Sequence, residues 1–153
     1  MISSALLKEK RQIDDLFSHI NAFTGDPYDK SLLTFYLCIR VSGFIENCVR
    51  IILSEYSIPR SRDQVITFIG NKLKKFPNPT YGAMVMIAKE FDDKWSKGFK
   101  GLTTRQHQSS IESININRNQ IAHGGTSSIT IGDLYKYYQD VVEVIENFEA
   151  TCK

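Results

Sequence analysis

Apolar residues recur at intervals of three and four along nearly the whole chain, which is the spacing that places them on one face of an α-helix. The pattern predicts a first helix from Ser3 or Ser4 to about Phe23, and a longer second helix from about Lys30 to Tyr56. Glycine and proline in the intervening turn separate the two. The second helix is apolar on more than one side, which is typical of a central, buried helix.

Four further helices are predicted in the rest of the chain, from about Ser61 to Lys75, Tyr81 to Trp95, Arg105 to Ala122, and Thr130 to the C-terminal end. Residues 97–104 are basic and contain glycine, so they are predicted to form a loop. Gly124 and Gly125 favour a left-handed end to the fifth helix. Thr130 with Asp133 resembles a capping box for the last one. The sequence therefore predicts an all-α fold, a bundle of about five to six helices forming a single domain over residues 1–153.

Composition and charge are those of an ordinary globular domain, with 42% hydrophobic residues, 24% charged residues and a net charge of +2. A nearly neutral chain is not expected to bind nucleic acid indiscriminately, although a local basic patch is compatible with this charge. No apolar run approaches the ~20 residues of a membrane span, and the N-terminus lacks the apolar core of a secretory signal. We therefore expect a cytoplasmic protein with no membrane partner.

Cysteine number and spacing argue against disulfides and bound metals. The chain has three cysteines, and Cys38 and Cys48 lie ten residues apart in one predicted helix, a separation of about 15 Å that no disulfide spans. We expect reduced thiols. The sequence contains no metal-ligand spacing and no glycine-rich phosphate loop before a helix, so neither a metal nor another cofactor is expected.

The most informative segment is Arg118-Asn119-Gln120-Ile121-Ala122-His123, at the predicted end of the fifth helix. On a helical wheel with Ile111 at 0°, Arg118 falls at about 340°, inside the apolar stripe. A charge in that position needs a carboxylate, a carbonyl, a phosphate or a cleft beside it. Asn115, Asn119 and His123 follow along one edge at about 40°, 80° and 120°.

The residue types at this helix end suit phosphodiester cleavage. Arginine is a permanent cation that fits phosphate, and histidine exchanges a proton near neutral pH. Asn119 and His123 are four residues apart, so the amide can orient the imidazole. A structural alternative is that Arg118 and His123 only meet the helix dipole at its C-terminus. The other two histidines, His19 and His107, have no supporting neighbours in the sequence and are predicted to lie on the surface.

A second polar row interrupts the long apolar helix, where Ser42, Glu46 and Arg50 follow one another at intervals of four. Glu46 is the candidate for meeting Arg118 or for fixing His123. The alternative is that Glu46 and Arg50 form an ordinary ion pair within one helix.

The segment Arg118-Asn119-Gln120-Ile121-Ala122-His123-Gly124 resembles the signature of HEPN domains, and its full form is similar to the RiboL-PSP-HEPN type. Its surroundings agree, since the strings Ser42-Gly43-Phe44-Ile45-Glu46 and Pro79-Thr80-Tyr81-Gly82 and the pair Ile129-Thr130 before a Tyr-rich helix belong to the same resemblance, which extends from about Leu32 to Phe148.

The resemblance implies an all-α bundle that forms a homodimer with the two motifs facing each other. It implies a metal-independent endoribonuclease that acts on RNA, of the kind found as toxins with a protein antitoxin and in host or phage defence. Arg118 and His123 would be catalytic, with Asn119, Glu46 and Asn115 in support. Two alternatives stay open. One is a HEPN module that has lost catalysis and binds nucleotide, RNA or a partner protein, and the other is a purely structural interaction domain.

Overall fold

The computed structural model describes residue 1, residues 3–76 and residues 79–153. This part of the chain contains a 3-10 turn at Ile58–Arg60 and seven α-helices, which are α1 (Ser4–Asn21), α2 (Pro27–Ser57), α3 (Asp63–Lys74), α4 (Tyr81–Phe91), α5 (Asp93–Leu102), α6 (Arg105–Ala122) and α7 (Ile131–Thr151). No strand occurs in these ranges. The predicted all-α fold is confirmed, with one or two helices more than expected.

Helices α1, α2, α6 and α7 form the core of the bundle, and α2 lies at its centre. Most of one side of α2 is completely buried, including Leu37, Phe44 and Ile45. Tyr138 of α7 stacks on Phe17 of α1 and meets the edge of Phe44 of α2, so one aromatic cluster joins three helices. The prediction that α2 is a central helix is confirmed, because other helices pack against several of its sides and bury the apolar residues there.

Within this core, α1 and α2 run antiparallel, and so do α6 and α7. Asn47 of α2 donates to Glu9 of α1, and His107 of α6 lies 3.0 Å from Glu143 of α7. The first turns of α2, together with residues 127–131 after α6, line one cavity, whereas Cys38 of α2 lies level with Ile114 of α6. The start of α2 and the end of α6 therefore lie at the same end of the bundle.

Helices α3, α4 and α5 lie against the outside of this core, with α3 on α2, α4 on α6 and α5 on α7. Trp95 of α5 packs edge-on against Tyr56 of α2, with 4.7 Å between ring centroids. Phe99 of α5 packs against Phe148 of α7 in the same edge-on manner. These buried rings fix α5 on the bundle, which leaves the start of α4 beside α6.

The prediction of one helix from Tyr81 to Trp95 followed by a loop is wrong. Asp92 adopts an extended conformation (φ −158°, ψ 128°), and its Oδ1 accepts from the backbone N–H of Lys94 at 2.8 Å. Asp92 thus ends α4 and caps α5, which continues to Leu102. Trp95 and Phe99 face inward at helical spacing, and this burial outweighs the lysines and glycines that favoured a loop.

By length and composition, the segment Pro27–Arg60 is one that can cross a membrane, although half of its apolar window is buried inside the bundle. No apolar run of this length was predicted from the sequence. The central helix of a bundle is buried to this degree. An apolar composition of this kind is therefore common to such a helix and to a membrane-spanning helix.

The three cysteines are free, as the sequence predicted, and all three are buried. Burial raises the pKa of the Cys38 thiol to about 11 and that of Cys152 to about 12. Burial, reinforced by the carboxylates of Glu9 and Glu149, also raises the pKa of Cys48. All three side chains therefore behave as small apolar core residues at neutral pH.

Candidate active site

Helix α6 ends in a pair of backbone hydrogen bonds that wrap its last turn. The N–H of Gly124 donates to the carbonyl of Ile121 at 3.1 Å, and the N–H of Gly125 donates to the carbonyl of Gln120 at 2.8 Å. Gly124 adopts a φ of +72°, in the left-handed region that glycine enters at little cost. This is a Schellman motif, and it confirms the predicted left-handed helix end. His123 is the C-cap residue, and its side chain is exposed.

The loop after this turn folds back along α6. Ser127 Oγ donates to Asn117 Oδ1 at 2.6 Å and accepts from the backbone N–H of Ile129. The Ile129 side chain is buried. The predicted capping box then begins α7, since Thr130 and Asp133 bond to each other's backbone N–H groups. The turn that carries His123 is therefore held from both sides.

Arg118 lies at the boundary between the core and the solvent. Its side chain is partly buried, as its place on the wheel predicts, and its Nη1 donates to Asn119 Oδ1 at 3.0 Å. The guanidinium is thus held beside Asn119 at the edge of α6. A cation in that position can meet a phosphate that approaches from the solvent side.

Asn115 is a structural support of this edge. It is buried, and its Nδ2 donates to the carbonyl of Pro79 at 3.1 Å and to that of Ile111 at 3.0 Å. Both donor positions of the amide are used by these carbonyls. Asn115 therefore ties Pro79, which lies just before α4, to the side of α6 close to Arg118.

The histidine at the cap is less constrained than the arginine. The sequence suggested that Asn119 orients His123, but Asn119 Oδ1 accepts from Arg118. The imidazole forms no hydrogen bond with any residue that the structure describes. One chain therefore holds the arginine of the motif and presents the histidine to solvent.

Glu46 forms the ion pair with Arg50 that was its alternative role. Arg50 also donates from Nε to the carbonyl of Leu73 at 3.0 Å, so this pair serves the junction of α2 and α3. The expected contact with Arg118 or His123 is absent from the described residues because α2 and α6 are antiparallel. Counted from the level at which Cys38 meets Ile114, Glu46 lies about 12 Å towards the start of α6 and His123 about 14 Å towards its end.

The prediction that His107 lies on the surface is wrong, since its side chain is buried. Its Nδ1 accepts from the backbone N–H of Thr104 at 3.1 Å, and its Nε2 lies 3.0 Å from Glu143 Oε2. A lone pair on Nδ1 is needed for the first bond, so Nε2 carries the proton and donates to the carboxylate. The threonine three residues earlier is the sequence signal for this role, because together the two form a capping box.

Comparison with known proteins identifies the family. The RiboL-PSP-HEPN family model matches residues 4–153, which is essentially the whole chain. No curated protein and no solved structure shows significant similarity to it. The match includes the Arg118–His123 segment and every helix around it. The chain therefore belongs to the RiboL-PSP-HEPN family.

Proposed function

We propose that the protein is a metal-independent endoribonuclease with Arg118 and His123 as its catalytic residues. The observation that carries this proposal is their placement at the end of α6, where Asn119 holds the arginine at the edge of the core and the cap exposes the histidine. Membership of a HEPN family supports a nuclease-like or RNA-binding role for this segment.

The chemistry needs no external nucleophile because RNA carries a 2′-OH beside each phosphate. His123 accepts the proton of that hydroxyl, and the oxygen attacks phosphorus. The bond from phosphorus to the 5′-oxygen breaks, and a general acid protonates the leaving oxygen. Arg118 stabilises the charge that develops on the phosphoryl oxygens. The products are a 2′,3′-cyclic phosphate and a 5′-OH.

One imidazole cannot serve as base and acid in the same step, so we propose that the working unit is a homodimer. In a two-fold symmetric dimer a second His123 is available, and one imidazole is neutral while the other is protonated. The exposure of His123 in one chain supports this arrangement, because a residue from a second chain has access to it.

The direct test is RNA cleavage in excess EDTA by the wild-type protein, Arg118→Ala and His123→Ala, with His19→Ala as a matched control for an exposed histidine elsewhere. We expect cleavage by the wild type and by the control, and a loss of at least about a hundredfold in the other two. Equal cleavage by the wild type and His123→Ala, or none by either, overturns the proposal. Specific activity that falls on dilution, in step with the sedimentation coefficient, tests the dimer.

For the biological role, we propose a cytoplasmic toxin of a toxin–antitoxin or phage-defence system, neutralised by a protein antitoxin. The family resemblance supports this role. Induced expression of the wild type should arrest growth and degrade cellular RNA, whereas His123→Ala should do neither. Normal growth with intact RNA at matched protein levels contradicts it.

The alternative is a HEPN module that binds nucleotide, RNA or a protein without catalysis. Two observations favour it: the chain is nearly neutral, and no described residue holds the imidazole of His123. For such a module, the wild type and His123→Ala would bind RNA equally well. Neither protein would release a cyclic phosphate or affect growth. An Arg118 buried against Glu46 would favour a purely structural domain, but Glu46 pairs with Arg50.

A further inference from the structure

A groove of about 320 Å³ runs along the exposed side of α6, beside the start of α4. It begins at Gln108 in the first turns of α6 and reaches Asn119 near the end of that helix. The apolar part of its lining comes from Tyr81, Ile111 and Ile116. The neighbouring wall is kept in place by the bond from Asn115 to the carbonyl of Pro79.

The groove is continuous with the candidate active site. Asn119, at one end, accepts from Arg118 through Oδ1, and its Nδ2 can donate to a ligand in the groove. Glu112 lines the groove about 9 Å along the helix axis from Arg118. A molecule that lies in the groove is therefore adjacent to whatever meets the guanidinium.

The polar groups of the groove do not suit a phosphate. The described lining residues include the carboxylate of Glu112 and the amides of Gln108 and Asn119, but no cationic side chain. A carboxylate repels a phosphate, whereas apolar walls with amide and carboxylate groups suit the flat face and hydrogen-bonding edge of a nucleobase. The ligand class that fits is therefore a base rather than the RNA backbone.

We propose that this groove binds the base of a nucleotide next to the scissile phosphate, and that Glu112 selects bases with an exocyclic amino group. The position of this base beside the scissile phosphate rests on the proposed ribonuclease function. A carboxylate only accepts hydrogen bonds, so it pairs with the amino group of adenine, cytosine or guanine. Uracil has no amino group and presents carbonyl oxygens on both sides of its single N–H, which the carboxylate repels.

Cleavage of matched oligoribonucleotides tests the selection. The substrates differ only in cytosine or uracil at each position flanking one phosphate, and kcat/KM is measured for both. We expect the wild type to prefer cytosine at one flanking position by about tenfold or more. Glu112→Gln should bring the ratio close to one, because an amide also donates to uracil O4. Glu90→Gln removes the same charge outside the groove and should keep the wild-type ratio.

A binding measurement separates this inference from the proposed function. Cytidine and uridine 3′-monophosphates are titrated into the wild type, Glu112→Gln and Glu90→Gln. Discrimination that depends on Glu112, without any RNA cleavage, overturns the ribonuclease and supports the base subsite. Cleavage with a base ratio that Glu112→Gln leaves unchanged overturns the subsite and supports the ribonuclease. The absence of both cleavage and discrimination overturns both.

Discussion

The backbone N–H of Gly125 donates to the carbonyl of Gln120 across 2.8 Å, and this bond closes the turn that exposes His123. A Cβ on residue 125 would lie 3.0 Å from that same carbonyl oxygen. The geometry of the candidate active site therefore depends on two consecutive glycines for different reasons, because Gly124 supplies the left-handed φ and Gly125 supplies the close approach.

Replacing Gly124 tests how far the cap positions the histidine. Gly124→Ala should destabilise the protein by about 1 kcal/mol, since a residue with a Cβ is strained at positive φ, and Gly124→Asn should cost less. Urea unfolding measures both, and RNA cleavage should fall more in the alanine variant. Gly70→Ala is the control, because Gly70 lies within α3 with open space around it, and it should be stabilising by about 0.5–1 kcal/mol. Equal effects at residues 124 and 70 contradict the role of the cap.

Asn115 offers a test of the support beneath Arg118. Asn115→Ala should cost about 1–3 kcal/mol in the free energy of unfolding, because the carbonyls of Pro79 and Ile111 lose a buried donor. Asn115→Asp should cost more, since it places a carboxylate against the same two carbonyls. Urea unfolding distinguishes these variants, and a result in which the aspartate variant is as stable as the wild type refutes the assigned bonds. The exposed Asn119→Ala should change stability little.

The two histidines of α6 should give opposite results. His107→Leu removes the side-chain acceptor of the Thr104 backbone N–H and the bond to Glu143, so it should lower stability by about 1–3 kcal/mol while the folded protein still cleaves RNA. His107→Gln should be milder, because glutamine at this position also completes a capping box. His123→Ala should lose cleavage without losing stability. Thermal unfolding measures stability, and cleavage is measured at a temperature where every variant is folded. A variant of either histidine that loses both stability and cleavage contradicts the assignment of a structural role to His107 and a catalytic role to His123.

Alkaline pH should weaken the fold through the buried thiols. The pKa of Cys38 is raised by burial from 9.0 to about 11, so the native state holds this proton more tightly than the unfolded chain does. Its contribution is therefore complete below pH 9.0 and is lost as the pH rises towards 11. Between about pH 7.5 and about pH 10, the wild type should lose about 1 kcal/mol more stability than Cys38→Ala in urea unfolding. Equal losses in the two proteins contradict this prediction.

Local sequence signals predicted the helices and caps well, because their causes lie within a few residues. Gly124 fixes the end of α6, and Thr130 with Asp133 fixes the start of α7. The split at Asp92 was not predictable from spacing, since apolar positions continue from Phe91 to Trp95. The cap of Asp92 makes the break, and the rings of Phe91 and Trp95 stack across it.

Side-chain positions were predicted where they depend on α6 alone, except that Asn119 bonds to Arg118 instead of orienting His123. They were missed where they depend on a second helix. The place of Arg118 at the edge of the core follows from the wheel, and the position of His123 at the helix end follows from the glycine cap. The position of Glu46 depends on the antiparallel order of α2 and α6, which no local pattern contains. The burial of His107 likewise depends on Glu143, 36 residues further along the chain.

Helix α6 carries Glu112, Arg118 and the His123 cap on one continuous backbone, without an intervening loop. In the proposed reaction, the distance between the base in the groove and the scissile phosphate would therefore be set by the rise of this one helix. Inserting one residue between Glu112 and Arg118 would advance the arginine by about 1.5 Å and rotate it by about 100° relative to the groove. Loop changes elsewhere in the bundle leave that register untouched.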